Sequence, residues 1–198
     1  MSPQEIRETL VDRTIEVIAD NGLDKVTTKA IVSGTGINEA YIYRHFKDKE
    51  HLLAQAFEKL DYELVDALME NLPVVYMYQL DYELRYRLYF EAIWKFLLGN
   101  KDKCMAFVRY YYSPYFKKYS IEEHKLRYEP FINKIKVAFL DESDVWMILN
   151  YILNVMLDFA IKVHNEQMPS NDDYTEHVFR VIYISVKQYF KKSKERVS

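Results

Sequence analysis

The stretch TTKAIVSGTGINEAYIYRHF, residues 27–46, sets two short helical runs on either side of a glycine-bearing turn. The spacing predicts one helix over about 28–34 and another over about 38–46, with Gly36 suited to the turn and Asn38 a good N-cap. At 3.6 residues per turn, Ile42 and Phe46 fall within about 40° of each other and define a buried side. Ala40, Tyr41 and Arg44 then face away, flanked by Glu39, Tyr43 and His45. So short an element cannot bury that many rings, and some of them must face a partner. A short helix with a small, wet face of aromatic and cationic side chains, docked on a second short helix, has the layout of a helix-turn-helix reading unit.

Outward from this stretch the chain continues in helices. Its four glycines are Gly22, Gly34, Gly36 and Gly99, and its prolines stand at 3, 73, 114, 130 and 169. Breakers this sparse leave long windows with apolar residues at helical spacing, and no strand-type alternation or internal repeat interrupts them. Ser2-Pro3-Gln4-Glu5 is a capping box with proline at the first helical position, opening a helix that stops at Gly22. After the two short helices, a fourth runs from Asp48 to about Asn71, with Leu52, Leu53, Ala56, Phe57, Leu60, Leu64 and Leu68 along one stripe. A fifth covers about 79–98, and a sixth, capped by Asn100, ends near Pro114. Ser120-Ile121-Glu122-Glu123 opens a seventh, kinked at Pro130. An eighth covers about 143–167, and a ninth, capped by Ser170, continues to about Lys192. The expected fold class is all-α with nine helices, divided into a helix-turn-helix part at 1–47 and a larger helical part at 48–198.

Charge is local. The 198-residue chain is net −3, an unusual balance for a nucleic-acid binder. Residues 1–24 hold two arginines against six acids, but residues 25–49 hold Lys25, Lys29, Arg44, Lys47 and Lys49 against Glu39 and Asp48. The positive face thus coincides with the two short helices, and binding should depend on salt.

Catalysis finds no foothold. Cys104 is a lone cysteine and reads as a small hydrophobe. The histidines at 45, 51, 124, 164 and 177 form no HExxH, and Asp173 with His177 supplies only two ligands, too few for a metal. Gly34-Thr35-Gly36 follows a helix, where a phosphate loop would follow a strand. No enzyme activity, metal or cofactor is expected. The residues after Met1 lack an apolar signal core. The run 145–157 contains Asn150 and Asn154 and reads as too short and polar to cross a bilayer. A cytoplasmic protein without a membrane partner is the expectation.

Residues 22–53 resemble the DNA-binding segment of the tetracycline-repressor (TetR) family of bacterial regulators. The likeness lies in Thr27-Thr28, Ile31, Gly36-Ile37, Asn38, Tyr43, His45-Phe46 and Lys49. The resemblance implies that Thr28 and Lys29 touch the DNA backbone and that Glu39, Ala40, Tyr41 and Tyr43 sit in the major groove. Tyr43, Arg44 and His45 would reach phosphates, and Lys49 would clamp another. Hydroxyl, amide and cationic groups suit phosphate oxygens on independent grounds. Glu39 and Tyr41 depart from the family pattern: an acid in the groove could accept from a cytosine amine, and Tyr41 is bulkier than usual.

The remainder is rich in tyrosine and phenylalanine, notably at 74–98 and 105–116. Such side chains suit a pocket for a flat or mixed-polarity small molecule, although an aromatic stripe at helical spacing is more often core. Trp94, Phe107, Tyr111, Met147 and Tyr151 are the candidate lining. The helices at about 143–167 and 172–192 are apolar on more than one side, which leaves a face for a second subunit. Lys191, Lys192 and Lys194 need be no more than solubilising charge. The resemblance implies a homodimeric regulator of an operator in double-stranded DNA, most simply a repressor released by a small-molecule effector. Activation is a variant of this reading, and a chromosome-organising DNA binder without an effector is the alternative.

Overall fold

The structure, a computed structural model, describes residues 1–191. Ten α-helices follow one another: α1 Pro3–Asn21, α2 Thr28–Val32, α3 Ala40–His45, α4 Lys49–Asn71, α5 Tyr82–Leu98, α6 Lys101–Tyr111, α7 Pro114–Tyr119, α8 Ile121–Ile135, α9 Val145–His164 and α10 Asp172–Val186. Single 3-10 turns occupy Leu23–Lys25, Leu72–Tyr76, Lys136–Ala138 and Lys187–Tyr189. The described residues contain no strand, only an isolated antiparallel bridge between Phe139 and Phe190. The all-α class therefore holds, with ten helices among the described residues in place of nine.

Local chemistry accounts for both the agreements and the shifts. Ser2 Oγ accepts from the Glu5 amide at 3.2 Å while the Glu5 carboxylate accepts from the Ser2 amide at 2.7 Å, so the expected capping box opens α1. Pro114 does not close off a helical region. It takes the first position of α7, where its missing N–H costs nothing. Pro130 sits inside α8 without ending it. The Asp81 carboxylate caps α5, which therefore starts at Tyr82. Asn171, not Ser170, caps α10, accepting from the Tyr174 amide at 2.8 Å. The Ser120 hydroxyl is hydrogen-bonded to the Tyr110 hydroxyl at 2.9 Å, and the Ser120 carbonyl accepts from the His124 amide. The last helix ends at Val186, and Lys192 and Lys194 lie outside the described residues.

The chain forms two compact units. One comprises Met1–Leu64 with Asn100–Arg127, the other Val65–Gly99 with the residues from Tyr128 onward, so the boundaries fall inside α4 and α8. In the first unit α1 packs on α6 and α2, over Leu10, Ile18, Ile31, Ile42, Leu52 and Leu53, all fully buried. Arg109 of α6 donates to the Ile18 and Ala19 carbonyls (2.7 and 2.6 Å), placing a cation on the carbonyl end of α1, which has no basic residue in its own last turn. Phe57 stacks on Tyr110 at 4.7 Å, with Phe107 and Phe116 completing the aromatic core. Cys104 is buried, and desolvation pushes its thiol up to about 12, as befits a packed hydrophobe.

In the second unit α5, α9 and α10 pack against one another, and the 3-10 turn at Leu72–Tyr76 lies against α5. Buried Arg85 donates to the Val75 carbonyl at 2.9 Å and holds that turn in place. The run 145–157 belongs to a 20-residue helix, α9, which by length and composition is long and apolar enough to cross a membrane (mean hydropathy 1.4). The apolar run is thus part of a longer element, because the helix continues through Asp158–His164, and length and composition alone do not make it a membrane span. Its Ile148, Leu149, Leu153, Met156, Leu157 and Ala160 are buried.

Candidate nucleic-acid interface and apolar cavity

The turn that joins α2 to α3 is fastened from below and from within. Ile31, Ile37, Ile42 and Phe46 are buried, so the two short helices share one apolar floor, on the side that Ile42 and Phe46 were expected to face. Gly34 and Gly36 adopt φ of 77° and 72°, the left-handed region that a side chain would strain. Between them the Thr35 hydroxyl donates to the Val32 carbonyl at 2.7 Å and accepts from the Ile37 amide at 3.0 Å. Thr27 Oγ1 accepts from the Ala30 amide at 3.0 Å and Asn38 Oδ1 from the Ala40 amide at 2.9 Å, so each short helix has an oxygen at its amino end.

On this floor Lys29, Ala40, Tyr43 and Arg44 are exposed, while Thr28, Glu39, Tyr41, His45 and Lys49 are half-buried. Tyr43, at 63% exposure, is among the most exposed large side chains of the protein. The Thr28 hydroxyl donates to the Glu39 carboxylate and joins the start of α2 to the start of α3. The Arg44 guanidinium lies 5.5 Å above the Tyr41 ring, and Tyr41 and His45 stack at 6.2 Å. Lys49 Nζ donates to the Val26 carbonyl at 3.3 Å, across the base of the same segment. Exposed Lys47 adds a cation beside them. The nine residues thus form a partly exposed surface of hydroxyl, guanidinium, imidazole and ammonium groups with one carboxylate, an arrangement able to meet phosphate oxygens and base edges.

A second feature lies in the other unit. Tyr86, Tyr89, Phe90 and Ile93 of α5, Phe131 and Ile135 of α8, Leu149, Ile152, Leu153 and Met156 of α9, and Phe179, Ile182, Tyr183 and Val186 of α10 surround a cavity of about 110 Å³, part of it open to solvent. Leu68, Leu72, Val75, Tyr76, Ala138, Phe139 and Phe190 complete its wall, and among the described residues no charged side chain lines it. Tyr76 donates to the Lys134 carbonyl at 2.9 Å and Tyr89 to the Leu68 carbonyl at 3.0 Å. Burial pushes both phenols up, so they are neutral.

None of the five residues expected to line a pocket borders this cavity. Trp94 borders a separate, more polar depression with Glu91, Lys95, Asp172, Thr175 and Glu176, and its indole N–H donates to Thr175 at 3.1 Å. Phe107 and Tyr111 belong to the aromatic cluster of the first unit, with Phe57, Phe116 and His124. Met147 and Tyr151 are 54% and 40% exposed on the outside of α9. Tyr86 and Tyr89 were missed, although both fall in the aromatic run 74–98 that drew attention. The signal available was their place beside Phe90 and Ile93 on one face of α5.

Comparison with known proteins gives the same picture. Residues 10–56 match the model of a family described as bacterial regulatory proteins, tetR family. A curated relative, the fatty acid metabolism regulator protein of Bacillus subtilis (strain 168), is 29% identical over 63 residues, and the match spans 32% of this chain and 32% of that protein. Among solved structures, a TetR family transcription regulator from Marinobacter aquaeolei VT8 aligns with a TM-score of 0.74 at 14% identity, covering 92% of this chain and 95% of its own. A regulator FadR from Bacillus subtilis, in complex with stearoyl-CoA, aligns with a TM-score of 0.66 at 17% identity, covering 88% and 96%. At these identities the structural likeness establishes a shared fold.

Proposed function

We propose that this chain, whose residues 10–56 carry the N-terminal module of the tetR family of bacterial regulatory proteins, is a ligand-responsive transcriptional repressor. The observation that carries the reading is the α2–α3 surface: buried Ile31, Ile42 and Phe46 fix its floor, while Thr28, Lys29, Tyr43, Arg44, His45 and Lys49 share its outer side. Residues 1–47 act as the DNA-reading part and residues 48–198 as the effector-binding and dimerisation part. Exposed Met147, Tyr151, Val181 and Ile184 on α9 and α10 support pairing of two copies through these helices. A dimer must hold its two reading helices about 34 Å apart to enter successive major grooves.

The apolar cavity favours this reading over a chromosome-organising role, which needs no ligand. Helix α4 carries Lys49 in its first turn and Leu68, a wall residue of the cavity, near its end. Filling the cavity would shift α4, change the separation of the reading helices and release the operator. A cytoplasmic location follows from a DNA partner. The test is fluorescence anisotropy on DNA from upstream of the gene itself, across salt concentrations, comparing wild type with the double variant Tyr43→Ala/Lys49→Ala. Tight, salt-sensitive and sequence-selective binding lost in the variant supports the reading. Equal binding to unrelated DNA, indifferent to the substitutions, overturns it.

A further inference from the structure

The cavity in the second unit contains a hydrogen-bond donor with nothing to receive its proton. Tyr86 lines the wall, its hydroxyl oxygen is buried, and it has no hydrogen-bond partner. Tyr76 and Tyr89 in the same wall give their hydroxyls to main-chain carbonyls. A buried hydroxyl left unpaired is destabilising, so phenylalanine at this position would serve folding better. The Tyr86 ring is also held in place, stacked on Phe190 at 4.5 Å and lying 4.8 Å from Tyr82. The hydroxyl is buried on a side chain of the cavity wall, where a ligand can bring the acceptor it lacks.

The rest of the wall says what kind of acceptor. Among the described residues no lysine, arginine or histidine lines the cavity, so an ionised group placed there loses its hydration without compensation from them. We propose that the cavity binds a neutral, mainly hydrocarbon molecule with one hydrogen-bond acceptor, such as an ester or ketone carbonyl, and that the Tyr86 hydroxyl donates to it. The hydrocarbon supplies affinity by filling the space between α5, α9 and α10, and the single hydrogen bond sets its position. This inference rests on the ligand-responsive reading above and names the ligand class.

Displacement of the neutral dye Nile red from the full chain, without DNA, tests it. The probes are methyl laurate, dodecane, laurate at pH 8 and lauroyl-CoA. Methyl laurate should displace the dye at the lowest concentration. Tyr86→Phe should weaken methyl laurate about two- to tenfold and leave dodecane unchanged. Without ligand, the variant should melt no lower than wild type. Leu153→Trp, which fills the cavity, should abolish displacement. The proposal is overturned if laurate or lauroyl-CoA outcompetes the methyl ester, if Tyr86→Phe weakens ester and alkane alike, or if Leu153→Trp leaves displacement intact. Because the readout involves no DNA, its failure leaves the DNA-binding test independent.

Discussion

Asp61 is wholly buried on α4, hydrogen-bonded to His124 Nδ1 at 2.9 Å and paired with Arg127. A buried pair of this kind adds little net stability, but removing one partner strands the other charge. Asp61→Ala should therefore lower the unfolding free energy by about 3–5 kcal/mol in urea titrations, and a loss under about 1 kcal/mol would mean that Arg127 finds solvent. Glu39 presents the opposite case: its carboxylate stands on the α2–α3 surface proposed to meet DNA and takes the Thr28 hydroxyl. Glu39→Gln removes a repulsive charge, and binding to unrelated DNA at low salt should tighten about two- to fivefold. Cys104, with its thiol raised to about 12, stays protonated at pH 8 and should resist iodoacetamide until the chain is unfolded. Of these residues, Glu39 was legible in the sequence because its place at the start of α3 follows from the helical spacing of the residues after it. Asp61 was not, since it reads as one more acid in the stripe of α4 and only the approach of α8 makes it a partner.

Caps announced some of the elements in advance and misplaced others. Ser2 announces a helix start through its own oxygen and the structure uses it, whereas Asn38 accepts from the Ala40 amide but Glu39 takes the capping position of α3. Pro114 shows the limit of such signals, because a proline that cannot continue α6 is equally fit to begin α7. The turn between α2 and α3 depends on backbone freedom: Gly36→Ala places a Cβ at φ 72° and should cost about 1 kcal/mol, with a matching fall in thermal midpoint and weaker operator binding. Arg109 gives α1 its C-terminal cation from another helix. Arg109→Ala should destabilise by about 1–3 kcal/mol, whereas Arg109→Lys should retain part of the effect, as measured by chemical denaturation.

For the molecule as a whole, the open question is what covers the apolar outer side of α9 and α10. Only a third of the most apolar window of α9 is buried within the chain, and Met147, Val181 and Ile184 are each more than half exposed. If a second copy covers this face, Met147→Glu with Ile184→Glu should shift sedimentation from dimer to monomer. Operator affinity should then collapse while binding to a half-site persists. A protein that stays dimeric with both substitutions would place the pairing face elsewhere. Salt dependence belongs to the same scale: removing Lys49 should flatten the slope of log affinity against log salt by about one phosphate contact.

The sequence by itself determined the all-α class, the position of the reading turn and its candidate residues. These depend on local facts: the period of apolar residues, side-chain oxygens that cap, and glycines that turn. It also located the local positive charge, since residues 25–49 lie together along the chain. Only the tertiary structure decided which aromatics are core and which are wall. Trp94 and Tyr86 stand eight residues apart on one helix and look alike in sequence, yet one faces a polar depression and the other an apolar cavity. The physical reason is that a cavity belongs to the space between elements. Its walls obey the same periodicity as a filled core, and the packing of α5, α9 and α10 decides whether that space is closed.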